Sequence, residues 1–315
     1  MDIIKVENLT KDYGFKRGVF NINLNVKKGE VYGFLGPNGA GKSTTIRHLI
    51  GFSKPDKGRT EIFGLESFKN YNTILKDVGY IPGEIALPSG LTGHEVIDMM
   101  KKLRNIKDDQ RINELIDLFK LDAKGDTKKM SLGNKRKLAI VCAFMHDPKV
   151  LILDEPTSGL DPAMQEIFIN FIKEEKKKGK TILLSSHVFS EVEAVCDRVS
   201  IIKHGYIIDQ FHMDKLKHAE DKEYKITFQN IEDTNKAYLT ILKSQYAIDI
   251  KKENNILTIY INDKDINQLI YDLKPYPIDL FEHQRQTLEA YFMKYYLDDI
   301  IFEEVKKWQT LKLKT

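Results

Sequence analysis

The segment Gly36–Thr44, Gly-Pro-Asn-Gly-Ala-Gly-Lys-Ser-Thr, constrains the fold of this chain more than any other stretch. It follows the apolar run Val31–Leu35 and precedes a helical pattern that ends near Leu49. A glycine-rich turn between a strand and a helix lets successive backbone N–H groups converge on phosphate oxygens, and the positive end of the helix dipole adds to the attraction. Lys42 would reach the β- and γ-phosphates, and the Ser43 hydroxyl would bind Mg²⁺. The full spacing disfavours a turn that binds nothing and predicts a site for a nucleoside triphosphate.

Length, charge and cysteine content limit the remaining choices. The chain has 315 residues, enough for two domains with buried cores. The net charge of +3 gives no electrostatic argument for a nucleic-acid partner, and we expect none. Cys142 and Cys196 lie in apolar surroundings, which is typical of buried thiols in a reducing compartment. No apolar run approaches the about 18 residues of a transmembrane helix, so work at a membrane would require a separate anchoring protein.

Polar residues follow two further apolar runs. Asp154 and Glu155 follow the run 150–153, which is typical of a strand buried on both faces of a parallel sheet. His187 ends a second such stretch, which begins at Thr181. Because α/β sheets bind ligands at the carboxyl ends of their strands, these side chains are candidate site residues. An acidic turn and a structural histidine are the alternatives when each motif is taken alone.

The region before the loop contains two predicted strands, Ile3–Leu9 and Asn21–Val26. The turn between them carries Tyr13, whose exposed ring could stack on an adenine base. A tyrosine that only shields the turn is the alternative, and the residue pattern alone favours neither.

A mainly helical stretch, 90–148, interrupts the α/β pattern. Thr92 and Glu95 have the spacing of a capping box and predict the start of its first helix. A later helix is predicted to begin at Leu138. We therefore expect a helical subdomain inserted into the α/β domain.

The character of the sequence changes after residue 217, where the nucleotide-type signals stop. We predict a first domain over 1–217 and an accessory α+β domain over 218–315. The elements predicted in the second domain are strands over 224–228, 247–251, 256–261 and 278–282 and helices over 234–242, 265–273 and 286–296. The order β-α-β-β-α-β resembles a ferredoxin-like module. The stretch 297–315 is predicted to be a partly ordered helix.

Four elements in this order resemble the ATP-binding subunit of an ABC transporter. They are the loop Gly36–Thr44, the segment Ser131–Lys135, the strand Leu151–Glu155, and His187 after a strand. The resemblance covers about residues 1–215. The segment 91–95 and the C-terminal region are similar to those of bacitracin-resistance-type exporters of drugs or peptides.

The resemblance implies a fold and a function. The fold is that of a P-loop NTPase, with a RecA-like α/β core, N-terminal antiparallel strands, a helical insert and the small C-terminal α+β domain. The function is ATP hydrolysis by two subunits, homodimeric or with a related chain, that pair head to tail around two MgATP and drive a separate transmembrane permease. The substrate class would be a drug, an antimicrobial peptide or another amphipathic molecule. The location would be cytoplasmic, on the inner face of the cell membrane.

The family's roles transfer to matching positions of this sequence. The residues expected around ATP are Tyr13 on the adenine and Gly36, Asn38, Gly39, Gly41, Lys42, Ser43 and Thr44 around the phosphates. The resemblance assigns Mg²⁺ to Ser43 and Asp154, the general base to Glu155, and γ-phosphate contacts to Lys42 and His187. Ser131 and Gly133 would contact the ATP held by the opposite subunit, and Asp161 would lie in the turn that communicates between subunits.

Two departures from the family pattern affect these expectations. The family's Leu-Ser-Gly-Gly-Gln is here Met130–Asn134, which keeps the serine and the second glycine. The family usually has glutamine at position 83, where this chain has Gly83, which cannot ligate Mg²⁺. Glu84 is the candidate substitute.

Two other functions fit part of the pattern. A non-transport ABC ATPase, soluble and acting on ribosomes or DNA, would usually carry two nucleotide domains or a long coiled coil, and this sequence shows neither. A regulatory subunit that binds ATP with little hydrolysis is disfavoured by Glu155 and His187, but the missing glutamine leaves this alternative open.

Overall fold

The computed structural model describes residues 1–217, 221–284 and 287–297. The chain divides into two compact units, Met1–His212 and Met213–Lys294. The domain boundary predicted after residue 217 falls close to this division and remains our proposal. The helix predicted over 297–315 lies outside the described residues, except for its first residue.

The first unit combines two sheets with helices. Its strands are β1 (Asp2–Asp12), β2 (Gly18–Lys27), β3 (Val31–Leu35), β4 (Lys57–Ile62), β5 (Leu65–Glu66), β6 (Val78–Ile81), β7 (Val150–Asp154), β8 (Thr181–Ser186), β9 (Arg198–Lys203) and β10 (Tyr206–His212). Its helices are α1 (Lys42–Leu49), α2 (Ser67–Ile74), α3 (Gly93–Leu103), α4 (Gln110–Phe119), α5 (Leu132–Phe144), α6 (Pro162–Lys177) and α7 (Phe189–Val195).

The central sheet of this unit positions the candidate site. Its six strands follow the order β10-β9-β3-β8-β7-β6, and all neighbours are parallel except β10 and β9. Every residue of β3, β7 and β8 is buried, as expected for strands covered on both faces. The predicted α/β core is therefore confirmed. The carboxyl ends of β3, β8 and β7 lie side by side at one edge.

A second, antiparallel sheet has the order β2-β1-β4-β5. Buried side chains of β1 and β2 share one apolar core with those of β3 and α1, including Ile4, Ile22, Phe34 and Ile46. This core fixes the N-terminal strands against the start of α1.

The helical insert shows one confirmed prediction and one wrong one. Glu95 N donates to Thr92 Oγ1 at 3.3 Å, and Thr92 N donates to a Glu95 carboxylate oxygen at 2.7 Å, which completes the capping box before α3. Helix α5 begins at Leu132, six residues before the predicted start at Leu138. The cause is Ser131, whose hydroxyl accepts from Asn134 N at 3.2 Å and caps the helix.

The second unit has its own sheet and core. Its elements are α8 (Asp214–Lys217), β11 (Asp221–Phe228), α9 (Ile231–Leu242), β12 (Ala247–Glu253), β13 (Ile256–Asn262), α10 (Ile266–Leu273), β14 (Ile278–Gln284) and most of α11 (Leu288–Leu297). The sheet is antiparallel with the order β12-β13-β11-β14. The order β-α-β-β-α-β from β11 to β14 is the predicted one, and the ferredoxin-like assignment remains our interpretation of it. The core includes Ile226, Phe228, Ile259 and Leu269.

Candidate nucleotide site

The loop between β3 and α1 depends on glycine at two positions. A Cβ on Gly36 would lie 2.5 Å from the Ile202 carbonyl oxygen, too close for any side chain. Gly41 has a φ of 114° and caps α1, and a Cβ there would lie 2.7 Å from the side chain of Val19. Only this residue type lets the loop pass so close to β2 and β9. The loop then leads directly into the N-terminus of α1, the position at which helices bind phosphate.

Lys42 is the first residue of α1, and its side chain is buried. Its ammonium donates to the Pro37 carbonyl at 3.2 Å and to the Gly36 carbonyl. These bonds fold the side chain back over the loop. The ammonium is therefore held among the amides that would surround a phosphate.

The ends of β7 and β8 hold the acidic pair. The strand register places Asp154 beside Ser185, whose hydroxyl donates to Asp154 Oδ1 at 2.7 Å. Glu155 N donates to the Ser185 carbonyl at 2.9 Å. The φ of Glu155 is 50°, a left-handed conformation that costs about 1–3 kcal/mol outside glycine and persists only where the surroundings enforce it.

The carboxylate of Glu155 joins the two other candidate groups. Its Oε1 lies 3.1 Å from Lys42 Nζ, an ion-pair distance, although no hydrogen bond to that buried oxygen forms within the described residues. Its Oε2 lies 2.6 Å from His187 Nδ1, which must donate because an ionised carboxylate only accepts. The structure therefore brings together Lys42, Glu155 and His187, although Lys42 lies more than a hundred residues before the other two in the sequence.

Asp154 and the loop at Gly83 face each other. Asp154 is buried, and a Cβ on Gly83 would lie 3.2 Å from its Oδ2. A side chain at position 83 would therefore start beside this carboxylate, and glycine offers no side-chain atom there that could bind a metal ion. Glu84 is exposed.

The donor set suits Mg²⁺ bound together with phosphate. Ser43 is exposed at the start of α1, and Asp154 offers its Oδ2. Among the described residues no group of three or more His, Cys, Asp and Glu side chains could hold a metal by itself. A hydroxyl and one carboxylate, completed by phosphate oxygens and water, are the ligands that Mg²⁺ takes in nucleotide sites.

Tyr13 lies in the loop between β1 and β2. Tyr13 N donates to the Arg17 carbonyl at 2.8 Å, and Arg17 N donates to the Gly14 carbonyl at 2.9 Å, which closes the loop. The Tyr13 ring is 54% exposed. Since Val19 of β2 packs against Gly41, this loop ends next to the phosphate loop, as adenine stacking would need.

Ser131 and Gly133 lie at the start of α5, beside the turn that ends with Asp161. A Cβ on Gly133 would lie 2.9 Å from the Gly159 carbonyl oxygen, so glycine permits this close approach. Asp161 caps α6 by accepting from Met164 N at 3.0 Å. Ser131, Gly133 and Asp161 line one cavity of about 660 Å³. No residue of Gly36–Thr44 lines it.

Sequence reasoning missed two buried charged residues near the site. Arg136 of α5 donates to the carbonyls of Pro82 and Gly83, both at 2.8 Å, and to that of Ser158 at 3.0 Å. Burial lowers the pKa of its guanidinium. Glu191 of α7 is buried next to the Glu155 and His187 loops. Neither residue had a signal beyond helical phase, because Arg136 stands in a run of charges and Glu191 is one of two glutamates in a short helix.

Comparisons with known proteins agree with this geometry. The family described as ABC transporter matches residues 19–158. The bacitracin transport ATP-binding protein BcrA of Bacillus licheniformis is 37% identical over 299 residues, which are 93% of this chain and 96% of the relative. The linearmycin resistance ATP-binding protein LnrL of Bacillus subtilis (strain 168) is 33% identical over 305 residues, which are 92% of this chain and 97% of the relative.

A solved structure gives the same result for the fold. It is described as an ATP-binding subunit of an ABC transporter, is 30% identical, and superposes with a TM-score of 0.64 over 69% of this chain and 92% of its own. Within the described ranges, none of the helices combines the length and the apolar character needed to cross a bilayer. With a phosphate loop, an acidic strand end and a histidine at one sheet edge, and relatives along nearly the whole chain, this protein belongs to the ABC transporter family as an ATP-binding, ATP-hydrolysing subunit.

Proposed function

We propose that this chain powers an exporter, working as a head-to-tail pair around two MgATP and coupled to a separate transmembrane permease. The observation that carries the proposal is the convergence of Lys42, Glu155 and His187 at the carboxyl ends of three adjacent parallel strands. Phosphoryl transfer is catalysed mainly by positioning and by neutralising charge, and these three side chains offer a cation, a base and a second polar contact around one point.

In this proposal each side chain has one task. The loop amides and Lys42 bind the β- and γ-phosphates, and Tyr13 stacks on the adenine. Glu155 orients the attacking water and accepts its proton, while His187 contacts the γ-phosphate. Binding of ATP releases Glu155 for this task beforehand, because the phosphate attracts the Lys42 ammonium and so breaks its ion pair with the Glu155 carboxylate.

Ser43 and Asp154 are proposed to hold Mg²⁺. The ion would neutralise charge on the β- and γ-phosphates. Asp154 is suited to this task because Ser185 fixes the carboxylate and leaves Oδ2 available. Gly83 lies next to Asp154 Oδ2, at the position where the family usually has glutamine. In this proposal water or Glu84 supplies the Mg²⁺ ligand that the glutamine would provide.

A pair of chains completes the site. Ser131, Gly133 and Asp161 form a cavity without any residue of the phosphate loop, which supports a role on the ATP of an opposite subunit. ATP that binds the closed pair more tightly than the open one shifts the pair toward closure, and hydrolysis reverses the shift. Two copies, or one copy with a related chain, meet this requirement.

The proposed permease and the proposed direction of transport rest on the similarity to relatives of known description. BcrA is described as a bacitracin transport protein and LnrL as a linearmycin resistance protein. We propose a drug, an antimicrobial peptide or another amphipathic molecule as the substrate, selected by the permease. The chain would then lie on the cytoplasmic face of the cell membrane, bound to that partner.

The test is recovery of the tagged protein from gently solubilised native membranes, followed by mass spectrometry. The expected result is a stoichiometric partner with several transmembrane spans. Ribosomes or DNA-associated proteins in its place would overturn the transporter assignment in favour of a non-transport ATPase. ATPase activity per molecule that rises with protein concentration supports pairing, and no hydrolysis at any concentration would instead favour a regulatory subunit.

A further inference from the structure

Glu191 is a buried carboxylate with no role in the scheme above. It lies on α7 and is 5% exposed. One carboxylate oxygen accepts from the Thr157 hydroxyl, and the other accepts from the Ser186 hydroxyl at 3.1 Å. Burial, with a smaller contribution from the Glu155 charge, raises the pKa of Glu191 above its ordinary value. Burying a carboxylate is costly unless its oxygens are hydrogen-bonded, as both oxygens of Glu191 are.

Each of the two hydroxyls lies close to one of the candidate catalytic groups in the sequence. Thr157 follows Glu155 by two residues, and Ser186 immediately precedes His187. The Ser186 hydroxyl also accepts from Val188 N at 2.9 Å. This bond joins the residue before His187 to the residue after it. The carboxylate of Glu191 therefore spans the ends of β7 and β8 outside the sheet ladder.

The backbone of Glu155 needs such a restraint. Its left-handed conformation is maintained by the surrounding bonds, because a non-glycine residue leaves this region once it is free to do so. Two backbone bonds restrain it, from Glu155 N to the Ser185 carbonyl at 2.9 Å and from Ser158 N to the Glu155 carbonyl at 3.2 Å. The bond from Thr157 to Glu191 is a side-chain restraint on the same turn, beside the bond from Arg136 to the Ser158 carbonyl.

We propose that Glu191 is a positioning residue that holds Glu155 and His187 at the mutual geometry which hydrolysis requires. It rests on the proposed function, in which these two residues act on the attacking water and the γ-phosphate. Glu191 touches neither the phosphate loop nor the cavity at Ser131 in any described contact. Its loss should therefore reduce the rate of the chemical step and leave ATP binding intact.

The test compares Glu191→Ala and Glu191→Gln with Glu193→Gln, an exposed position on the same helix. Loss of the bridge in Glu191→Ala should lower kcat by about tenfold or more, with the KM for ATP changed by less than about threefold, since small misplacements of catalytic groups act on the chemical step. Glu191→Gln should restore kcat to within about threefold of the natural protein, because an amide accepts from one hydroxyl and donates to the other. Glu193→Gln should leave both constants unchanged.

An unchanged kcat in Glu191→Ala would overturn the proposal. Should that variant fail to fold, Thr157→Val and Ser186→Ala each remove one hydroxyl with little change of volume, and normal turnover in both would overturn it equally. Glu155→Gln separates the two levels of the argument. Loss of turnover there together with normal turnover in Glu191→Ala refutes only the role of Glu191, whereas full turnover in Glu155→Gln refutes the proposed chemistry itself.

Discussion

The ammonium of Lys42 lies 3.1 Å from the carboxylate of Glu155, so the phosphate loop after β3 and the acidic end of β7 meet through one ion pair. The two side chains are 5% and 16% exposed. At this degree of burial the attraction is screened much less than that of a surface pair. A γ-phosphate in the loop would compete with the carboxylate for the same cation.

Glu155→Gln keeps the size of the side chain and removes its charge and basicity. We expect ATP binding and pairing to persist, while turnover falls by about 100-fold or more, the usual contribution of a positioned base. Steady-state ATPase rates and ATP-dependent dimerisation in gel filtration measure the two effects. Normal turnover in this variant would exclude Glu155 as the base.

The Mg²⁺ requirement distinguishes Asp154 from Glu84. Asp154 is buried beside Gly83 and bonded to Ser185, whereas Glu84 is exposed. We expect Asp154→Asn to raise the Mg²⁺ concentration for half-maximal ATPase by about tenfold or more, and Glu84→Ala by less than about threefold. A larger effect of Glu84→Ala would show that Glu84 replaces the glutamine of the family.

Arg136→Met should destabilise the fold. The guanidinium is almost fully buried and donates to the carbonyls of Pro82, Gly83 and Ser158, which would lose their partner. We expect the free energy of unfolding to fall by about 2–4 kcal/mol in urea titrations. Arg136→Lys should recover little of it, because one ammonium cannot reproduce a planar fork of donors.

The matched control for Arg136 is Lys177→Met on α6. Its side chain is 72% exposed and pairs with Glu174 at the surface. Such a pair contributes little, so the free energy of unfolding should change by less than about 1 kcal/mol. Equal effects at the two positions would contradict the assigned role of the Arg136 bonds.

His146 should make the stability depend on pH. Burial, with smaller effects of the Arg104 and Lys180 charges that outweigh Asp77, lowers its pKa to about 4. In the unfolded chain His146 therefore binds a proton at about pH 6.5, whereas in the folded chain it binds one only at about pH 4. Stability is thus full above pH 6.5 and falls by up to about 3 kcal/mol as the pH drops to 4.

His146→Gln should remove this contribution to the pH dependence. Urea titrations at pH 7.5 and pH 5 would then give free energies of unfolding that differ less than those of the natural protein. The exposed His94 provides the control. His94→Gln should keep the pH dependence of the natural protein. A His146→Gln variant with undiminished pH dependence would exclude His146 as its source.

The sequence predicted those parts of the site that depend on local order. Gly36–Thr44 needs only a strand before it and a helix after it, and Thr92 with Glu95 needs only a spacing of three. Asp154 and Glu155 were predicted because a parallel strand buried on both faces is a continuous apolar run. Each of these signals lies within a few residues of the feature that it predicts.

The parts that were missed depend on contacts between distant segments. The bonds of Arg136 to Pro82 and of Glu191 to Thr157 span 54 and 34 residues. A charged residue in a helix is normally exposed, so its helical phase gave no reason to bury it. The start of α5 was missed because Ser131 caps a polar stretch without the apolar periodicity that predicts a helix.

The bonds of Arg136 to the turn after β6 go to backbone carbonyl oxygens, those of Pro82 and Gly83. A segment anchored through its backbone can exchange its side chains without losing its attachment, whereas a segment anchored through a side chain cannot. The attachment of this turn to α5 therefore does not depend on the side chain at position 83. In the proposed Mg²⁺ site, glycine supplies no ligand at this position, whereas the hydrogen bonds that link the turn to α5 stay in place.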